Sequence, residues 1–219
     1  MKTSDIAFDF SDKTVIVFGG SRGIGKEVSL QFKYAGAKVY CASRTESQLD
    51  DVTHIQCDIS FPGDIEHVFS LVNNVDFVIN VAGTNLCEPI EKLDIGEWDR
   101  LMDINLRSFF VICKHAVAAL KERGGRIVNV SSIAGRHKSV VSGVHYTSSK
   151  YGIIGLTKQL AHEVSCYDIL VNCVCPSQTM TEMLSDSMTD SQLNKLSERI
   201  PVRRIAETRE QALNIVFML

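Results

Sequence analysis

The chain has no basic excess: 23 lysines and arginines stand against 26 aspartates and glutamates, a formal net charge of −3 with a pI near 6.1. Bulk electrostatics therefore give no reason to expect nucleic acid or an anionic membrane as a partner. No uncharged apolar run reaches the roughly 18 residues that a membrane-crossing helix needs. The stretch Met1–Lys13 carries acidic residues and lacks an apolar core of signal-peptide length. No leader and no membrane span are expected. There is no CxxC pair, and His54, His67, His115 and His162 show no metal spacing, so no metal site is expected. Seven cysteines are an odd number, and most lie in apolar strand or helix contexts. Reduced thiols acting as small hydrophobes fit that pattern, and a cytoplasmic setting is expected.

Low-complexity linkers and internal repeats are also missing. With 219 residues, 45% hydrophobic and 22% charged, the expectation is one domain over residues 1–219 with a full core.

Apolar strand-like runs alternate with longer helical patterns, which is the α/β signature. Strands are expected near 14–19, 38–43, 53–57, 75–81, 125–131 and 169–175. Helices are expected near 23–35, 62–73, 94–120, 144–166, 180–198 and 207–218. Continuous apolar strands suit a parallel sheet buried on both faces, so the fold class is a Rossmann-like doubly wound sheet with helices on both sides. The second crossover, Arg44 to Thr53, leaves room for one or two helical turns at most.

Gly19-Gly-Ser-Arg-Gly-Ile-Gly25 follows the apolar run Thr14–Phe18 and opens a helix. Glycines there let the backbone turn tightly and approach a pyrophosphate, whose charge is met by the free N–H groups and dipole of the next helix. A second element is Tyr146-Thr-Ser-Ser-Lys150, whose spacing puts a phenol and an ammonium on one helical face. A positive charge beside a phenol favours the phenolate and lowers its pKa. The spacing alone is weak, since Tyr34 and Lys38 share it across the helix-ending Gly36. Upstream, Gly125–Gly135 reads as a strand ending in the hydroxyls of Ser131 and Ser132 at the carboxyl edge of the sheet, where ligands of open α/β sheets bind.

Taken in order, Gly19-x-x-x-Gly23-x-Gly25, Cys57-Asp58-Ile59, Asn80-Val-Ala-Gly83, Asp103-Ile-Asn105, Val130-Ser-Ser132, Tyr146-x-x-x-Lys150 and Pro176-Ser177 resemble the short-chain dehydrogenase/reductase family. The resemblance runs from about Asp12 to the end of the chain and is nearest to the 3-oxoacyl-carrier-protein reductases. It implies a catalytic set of Asn105, Ser132, Tyr146 and Lys150. Tyr146 would exchange the proton with a substrate carbonyl while a nicotinamide exchanges hydride. Lys150 would lower the tyrosine pKa and bind the nicotinamide ribose. Ser132 would hold the carbonyl oxygen, and Asn105 a water linking the lysine to solvent. The loop from Ser132 to Tyr146 is slightly longer than in common members, so Ser131 stands as the alternative serine.

Cofactor contacts are expected from Gly19, Ser21, Arg22, Gly23, Ile24, Gly25, Ser43, Arg44, Asp58, Asn80, Ala82, Gly83, Tyr146, Lys150, Pro176 and Thr181. At the end of the second strand an NAD enzyme usually places a carboxylate. Here Ser43 and Arg44 stand there, and Arg22 joins them from the glycine loop, which favours NADP(H) over NAD(H). Asp58 would meet the adenine; Asn80, Ala82 and Gly83 would line the adenosine side.

Phe18, Val81 and Ser177 depart from the family pattern, the first two trading a polar tie for apolar packing. The chain ends at Gln211–Leu219 inside a helix that the family follows with one more strand and a glycine-rich tail. Methionines in Gln178–Met188, the expected lid, suit an apolar ligand. His145 is not expected to be catalytic, because neighbours on a helix point about 100° apart; His137 is placed to touch substrate. The stripe Phe109, Phe110, Ile112, Ala116 and Leu120, with Trp98, reads as core or subunit interface. The expected function is hydride transfer between NADP(H) and a small-molecule carbonyl or secondary alcohol, 3-oxoacyl thioesters included. The alternatives are a sugar or polyol dehydrogenase and a non-catalytic NADP-binding protein. A homodimer or homotetramer packed through helices 94–120 and 144–166 is expected.

Overall fold

The computed structural model describes residues 8–219, so part of the N-terminal stretch discussed above, residues 1–7, lies outside the described residues. In chain order the elements are β1 (Thr14–Phe18), α1 (Gly23–Tyr34), β2 (Lys38–Ser43), β3 (Val52–Gln56), α2 (Pro62–Leu71) and β4 (Phe77–Asn80). There follow α3 (Ile95–Met102), α4 (Ser108–Leu120), β5 (Gly125–Val130), α5 (Val144–Val164), β6 (Ile169–Val174), α6 (Glu182–Ser185), α7 (Asp190–Arg199) and α8 (Thr208–Phe217). The six strands form one parallel sheet in the order β3-β2-β1-β4-β5-β6.

Side-chain alternation along the strands feeds two cores. Ile16, Phe18, Val78 and Ile127 face the layer that holds Ile65 and Val68 of α2 and Ile112, Ala116 and Leu120 of α4. Val15, Val17, Ile79 and Val128 face the opposite layer, with Val28 and Phe32 of α1 and Ala212, Ile215 and Val216 of α8. Apolar residues at both parities are what a sheet covered on both faces requires. Phe18 is fully buried beside Phe69, ring centroids 5.8 Å apart, consistent with the apolar packing expected at this position.

β1 pairs with β2 on one side and β4 on the other. The strand order reverses across the sheet at this point, and loops after β1 and β4 part to leave a crevice at the carboxyl ends of the strands. That crevice is the site.

Two expectations need correction. The expected helix 94–120 is interrupted: Asp103–Arg107 forms a π-helical turn between α3 and α4, and Asn105 lies in it, fully buried. A π-turn inserts an extra residue into the helical ladder, a local deformation typical of functional sites. The expected helix 180–198 is two helices, α6 and α7. Thr189 starts the second with a capping box, its hydroxyl accepting from the Gln192 N–H while the Gln192 side chain accepts from the Thr189 N–H. Residues 44–51 contain no helical turn.

Candidate active site

The crevice has a volume of about 640 Å³. Its nucleotide end is built from consecutive backbone. Gly19 has φ +85°, and a Cβ there would lie 2.7 Å from the Ala82 backbone. A Cβ on Gly25 would lie 2.1 Å from the Gly19 carbonyl oxygen. Only glycine fits such approaches, and the turn delivers the first N–H groups of α1 to the crevice. Ser21, Arg22, Gly23 and Ile24 line it, as do Ser43 and Arg44.

Arg22 and Arg44 are exposed, and Ser43 is buried. The Ser43 hydroxyl donates to the Thr45 carbonyl at 2.8 Å, and Nε2 of His54 lies 3.2 Å from it. His54 is a support the sequence did not reveal: cross-strand register, Cys41 opposite His54, puts the ring beneath the end of β2. Asp58 lines the wall and accepts from the Ser60 N–H and hydroxyl at 3.0 and 2.8 Å. Ala82, Gly83, Pro176 and Thr181 line it too.

Asn80 does not belong with them. It is fully buried and absent from the walls of the crevice; its amide donates to Asn129 Oδ1 at 2.6 Å. Asn129 in turn donates to Thr157 Oγ1 at 3.0 Å, so Asn80 braces β4 against β5 and α5. The strand ends at this residue, and its side chain turns toward the helices instead of the crevice.

The catalytic end gathers four distant side chains. Ser132, Tyr146 and Lys150 all line the crevice, and Asn105 stands behind Gly83. Lys150 Nζ donates to the Val130 carbonyl at 3.3 Å and lies 5.5 Å from the Tyr146 ring centroid. Burial lowers the Lys150 ammonium to about 8, an effect that the nearby Cys173 and Cys175 oppose. Burial also raises the Tyr146 phenol, while the adjacent Ser132 side chain pulls it down. The lowering expected from the lysine is not seen: desolvation disfavours the phenolate more than the Ser132 hydrogen bond stabilises it.

Both serines line the crevice, and they differ in what their hydroxyls hold. Ser131 is buried, and its hydroxyl donates to the Lys150 carbonyl at 2.7 Å, tying β5 to α5. Ser132 faces the crevice beside Tyr146, its oxygen accepting from the Ala134 N–H at 3.1 Å. Asn105 grips Thr84 from both sides, accepting from its N–H and donating to its carbonyl, each at 2.8 Å. Asn105 Oδ1 and Lys150 Nζ both flank Gly83, 3.3 and 3.5 Å from where a Cβ would sit. Any side chain there would press on both.

Asn85 was not legible in the sequence. It lines the crevice, and its amide donates to the Val141 carbonyl at 3.1 Å, joining the loop after β4 to the loop before α5. His137 lines the crevice, whereas His145 is fully buried with neither ring nitrogen bonded. The lid is anchored by backbone bonds from Met180 N–H to the Ala206 carbonyl and from Ala206 N–H to the Gln178 carbonyl, 2.8 and 3.1 Å. Among the described residues no three potential metal ligands come together, and no helix is long and apolar enough to cross a membrane.

Residues 13–192 match the family described as short chain dehydrogenase. Carbonyl reductase family member 4 of Xenopus laevis is 36% identical, over 94% of this chain and 91% of that protein. The 3-oxoacyl-acyl-carrier-protein reductase FabG of Vibrio cholerae is 30% identical, over 94% and 89%. Among solved structures, aldohexose dehydrogenase of Thermoplasma acidophilum superposes with a TM-score of 0.87 at 29% identity, covering 95% of this chain and 87% of that one. A variant actinorhodin polyketide ketoreductase with NADPH gives 0.86 at 25% identity, over 94% and 89%.

Proposed function

The chain belongs to the short-chain dehydrogenase family and is an oxidoreductase acting on CH–OH and carbonyl groups; on that premise we propose that it uses NADP(H) to reduce a small-molecule ketone. The observation that carries the cofactor reading is the pairing of exposed Arg22 and Arg44 around Ser43, with no carboxylate at the end of β2. A 2′-phosphate would gain charge-assisted bonds from both guanidinium groups, and no carboxylate at the end of β2 competes for it. The glycine turn, whose tight places exclude any Cβ, fits a pyrophosphate. Gly19 to Gly25, Ser43, Arg44, Asp58, Ala82, Gly83, Pro176 and Thr181 would hold the dinucleotide, with Tyr146 and Lys150 at its nicotinamide end.

When bound, the dinucleotide supplies the hydride. The chain's own residues handle the proton. The Ser132 hydroxyl holds the carbonyl oxygen, and the Tyr146 phenol delivers its proton to that oxygen as negative charge develops there. Lys150, charged below pH 8, stabilises the phenolate that remains. Asn105 fixes Thr84 and so the wall facing Lys150.

A 3-oxoacyl thioester is the substrate reading that the reductase relatives support. Exposed Val140 and Met183 on the crevice walls weigh against a polyhydroxylated sugar. Exposed Phe110 on α4 and Val144 and Tyr151 on α5 support a homo-oligomer packed through these helices. Light scattering at micromolar concentration tests it, and a monomer mass would remove it. Seven unbridged cysteines support a reducing, cytoplasmic setting.

The cofactor reading is tested by calorimetric titration. NADPH is expected to bind at least tenfold more tightly than NADH, and Arg44→Ala to remove most of that preference. Equal dissociation constants would overturn it.

A further inference from the structure

The chain as a whole is acidic, at −3, yet the crevice is not. Its carboxylates are Asp58, bound to Ser60, and Glu182, whose Oε2 lies 3.5 Å from where a Gly23 Cβ would sit. Both therefore lie toward the dinucleotide end. Its cations are spread along the whole length. Arg22 and Arg44 belong to the dinucleotide end, Lys150 is buried at the reaction centre, and Arg100 is neutralised by Glu97 at 2.8 Å. Lys138 and Arg199 remain. Both line the crevice, both are exposed, and neither is in an ion pair among the described residues.

The walls that accompany them are apolar. Val140, two residues after Lys138, is 59% exposed, and Met183 is 39% exposed, although both line a concave surface that water would otherwise fill. Leu196 and Ile200 of the α7 end flank Arg199 in sequence and line the same crevice. Exposed apolar walls ending in unpaired cations are suited to a ligand with the same order of properties.

We propose that the substrate end takes a carbonyl compound whose apolar chain lies against Val140, Met183, Leu196 and Ile200 and ends in an anion held by Lys138 and Arg199. The inference rests on the ketone-reducing function above and adds the polarity of the substrate. The anion has two possible sources: the carboxylate of a free oxo acid, or the phosphates of a thioester carrier.

Initial rates with saturating NADPH on two matched pairs separate them. The pairs are 7-oxooctanoate with its methyl ester, and acetoacetyl-coenzyme A with acetoacetyl-N-acetylcysteamine. The anionic member of at least one pair is expected to have a kcat/KM about tenfold above its neutral partner, as two partly solvated ion pairs allow. A preference confined to the first pair identifies a free oxo acid, and one confined to the second a phosphate-bearing carrier. The preference should fall in 0.5 M salt as screening shortens to about 4 Å. It should also fall in the Lys138→Glu, Arg199→Glu double variant, where the anionic substrate loses more than the neutral one. Equal kcat/KM within both pairs, or an unchanged preference in the double variant, would overturn the proposal. If no ketone in the set is reduced, the ketone-reducing reading fails separately. Calorimetric binding of 7-oxooctanoate and its ester, and of the two thioesters, to the NADPH-loaded protein then decides the charge question: equal or absent binding overturns it.

Discussion

The two ends of the crevice are made of different material. The nucleotide end is a turn of neighbouring residues, Gly19 to Gly25, with Arg22 and Arg44 exposed to solvent. The proposed catalytic end is assembled from Asn105, Ser132, Tyr146 and Lys150, which come from the π-turn, the end of β5 and α5. Water screens the first end, so its charges select between similar ligands at a cost of a kilocalorie or two each. Desolvation governs the second, where it lowers Lys150 to about 8 and raises the phenol of Tyr146. On the proposed function, affinity and selectivity are set at one end and proton chemistry at the other.

The largest expected effect breaks only the catalytic end. Tyr146→Phe removes the proton donor and keeps the ring, so turnover should fall by roughly 10²–10⁴ while NADPH affinity stays within about twofold. Steady-state rates and a binding titration on the same preparation check this. Near-normal turnover would leave Tyr146 without the role given to it.

Lys150→Met sharpens the comparison through stability. The folded-state pKa lies near 8, below the ordinary 10.5. Below pH 8 the lysine is charged in both states, and the folded state bears the full desolvation cost. Between pH 8 and 10.5 the unfolded state holds more protons, so the cost disappears as pH rises. The ligand-free variant should thus gain on the wild type by on the order of 3 kcal/mol near neutral pH, with the gap closing toward pH 10.5. Urea denaturation across this range measures it, and a constant gap would refute the account.

Gly25→Ala strikes the other end. With 2.1 Å to the Gly19 oxygen, the turn must shift. Overpacking of about 1–3 kcal/mol predicts a roughly ten- to hundredfold loss of NADPH affinity, against little change in the pH dependence of the remaining activity. Fluorescence titration and a pH profile separate the two readouts.

The smallest effect concerns His145, next to Tyr146 but outside the crevice. Its unbonded ring is fully buried, and burial holds its pKa below the ordinary 6.5. Stability dependent on the neutral ring is complete above that value and is lost as pH falls through the folded pKa. His145→Leu should leave thermal stability at pH 7 unchanged or slightly higher, since no hydrogen bond is broken. It should also weaken the loss of stability toward pH 5. A large drop at pH 7 would show a partner that the ring lacks here.

Legibility in the sequence followed the same divide. The strands needed only continuous apolar runs alternating with helical patterns, and the glycine turn needed only adjacency. The capping box at Thr189 and Gln192 was readable, and it splits the expected helix 180–198. His54 and Asn85 were not readable, because each acts on a partner fixed by strand register or loop packing. Asn80 was misplaced because the motif gives the residue and not the face on which its side chain falls.

The sequence by itself determined the doubly wound sheet, the glycine turn and the residue types for proton transfer, since each depends on local periodicity or on neighbours in the chain. Tertiary structure decided that the Ser131 hydroxyl is bonded to the Lys150 carbonyl, that the helix through Asn105 is broken by a π-turn, and that burial raises the Tyr146 phenol. It also left Lys138 and Arg199 without an ion pair among the described residues of an acidic chain. Desolvation and charge pairing depend on everything that packs around a group, and that set is fixed only when the distant elements meet.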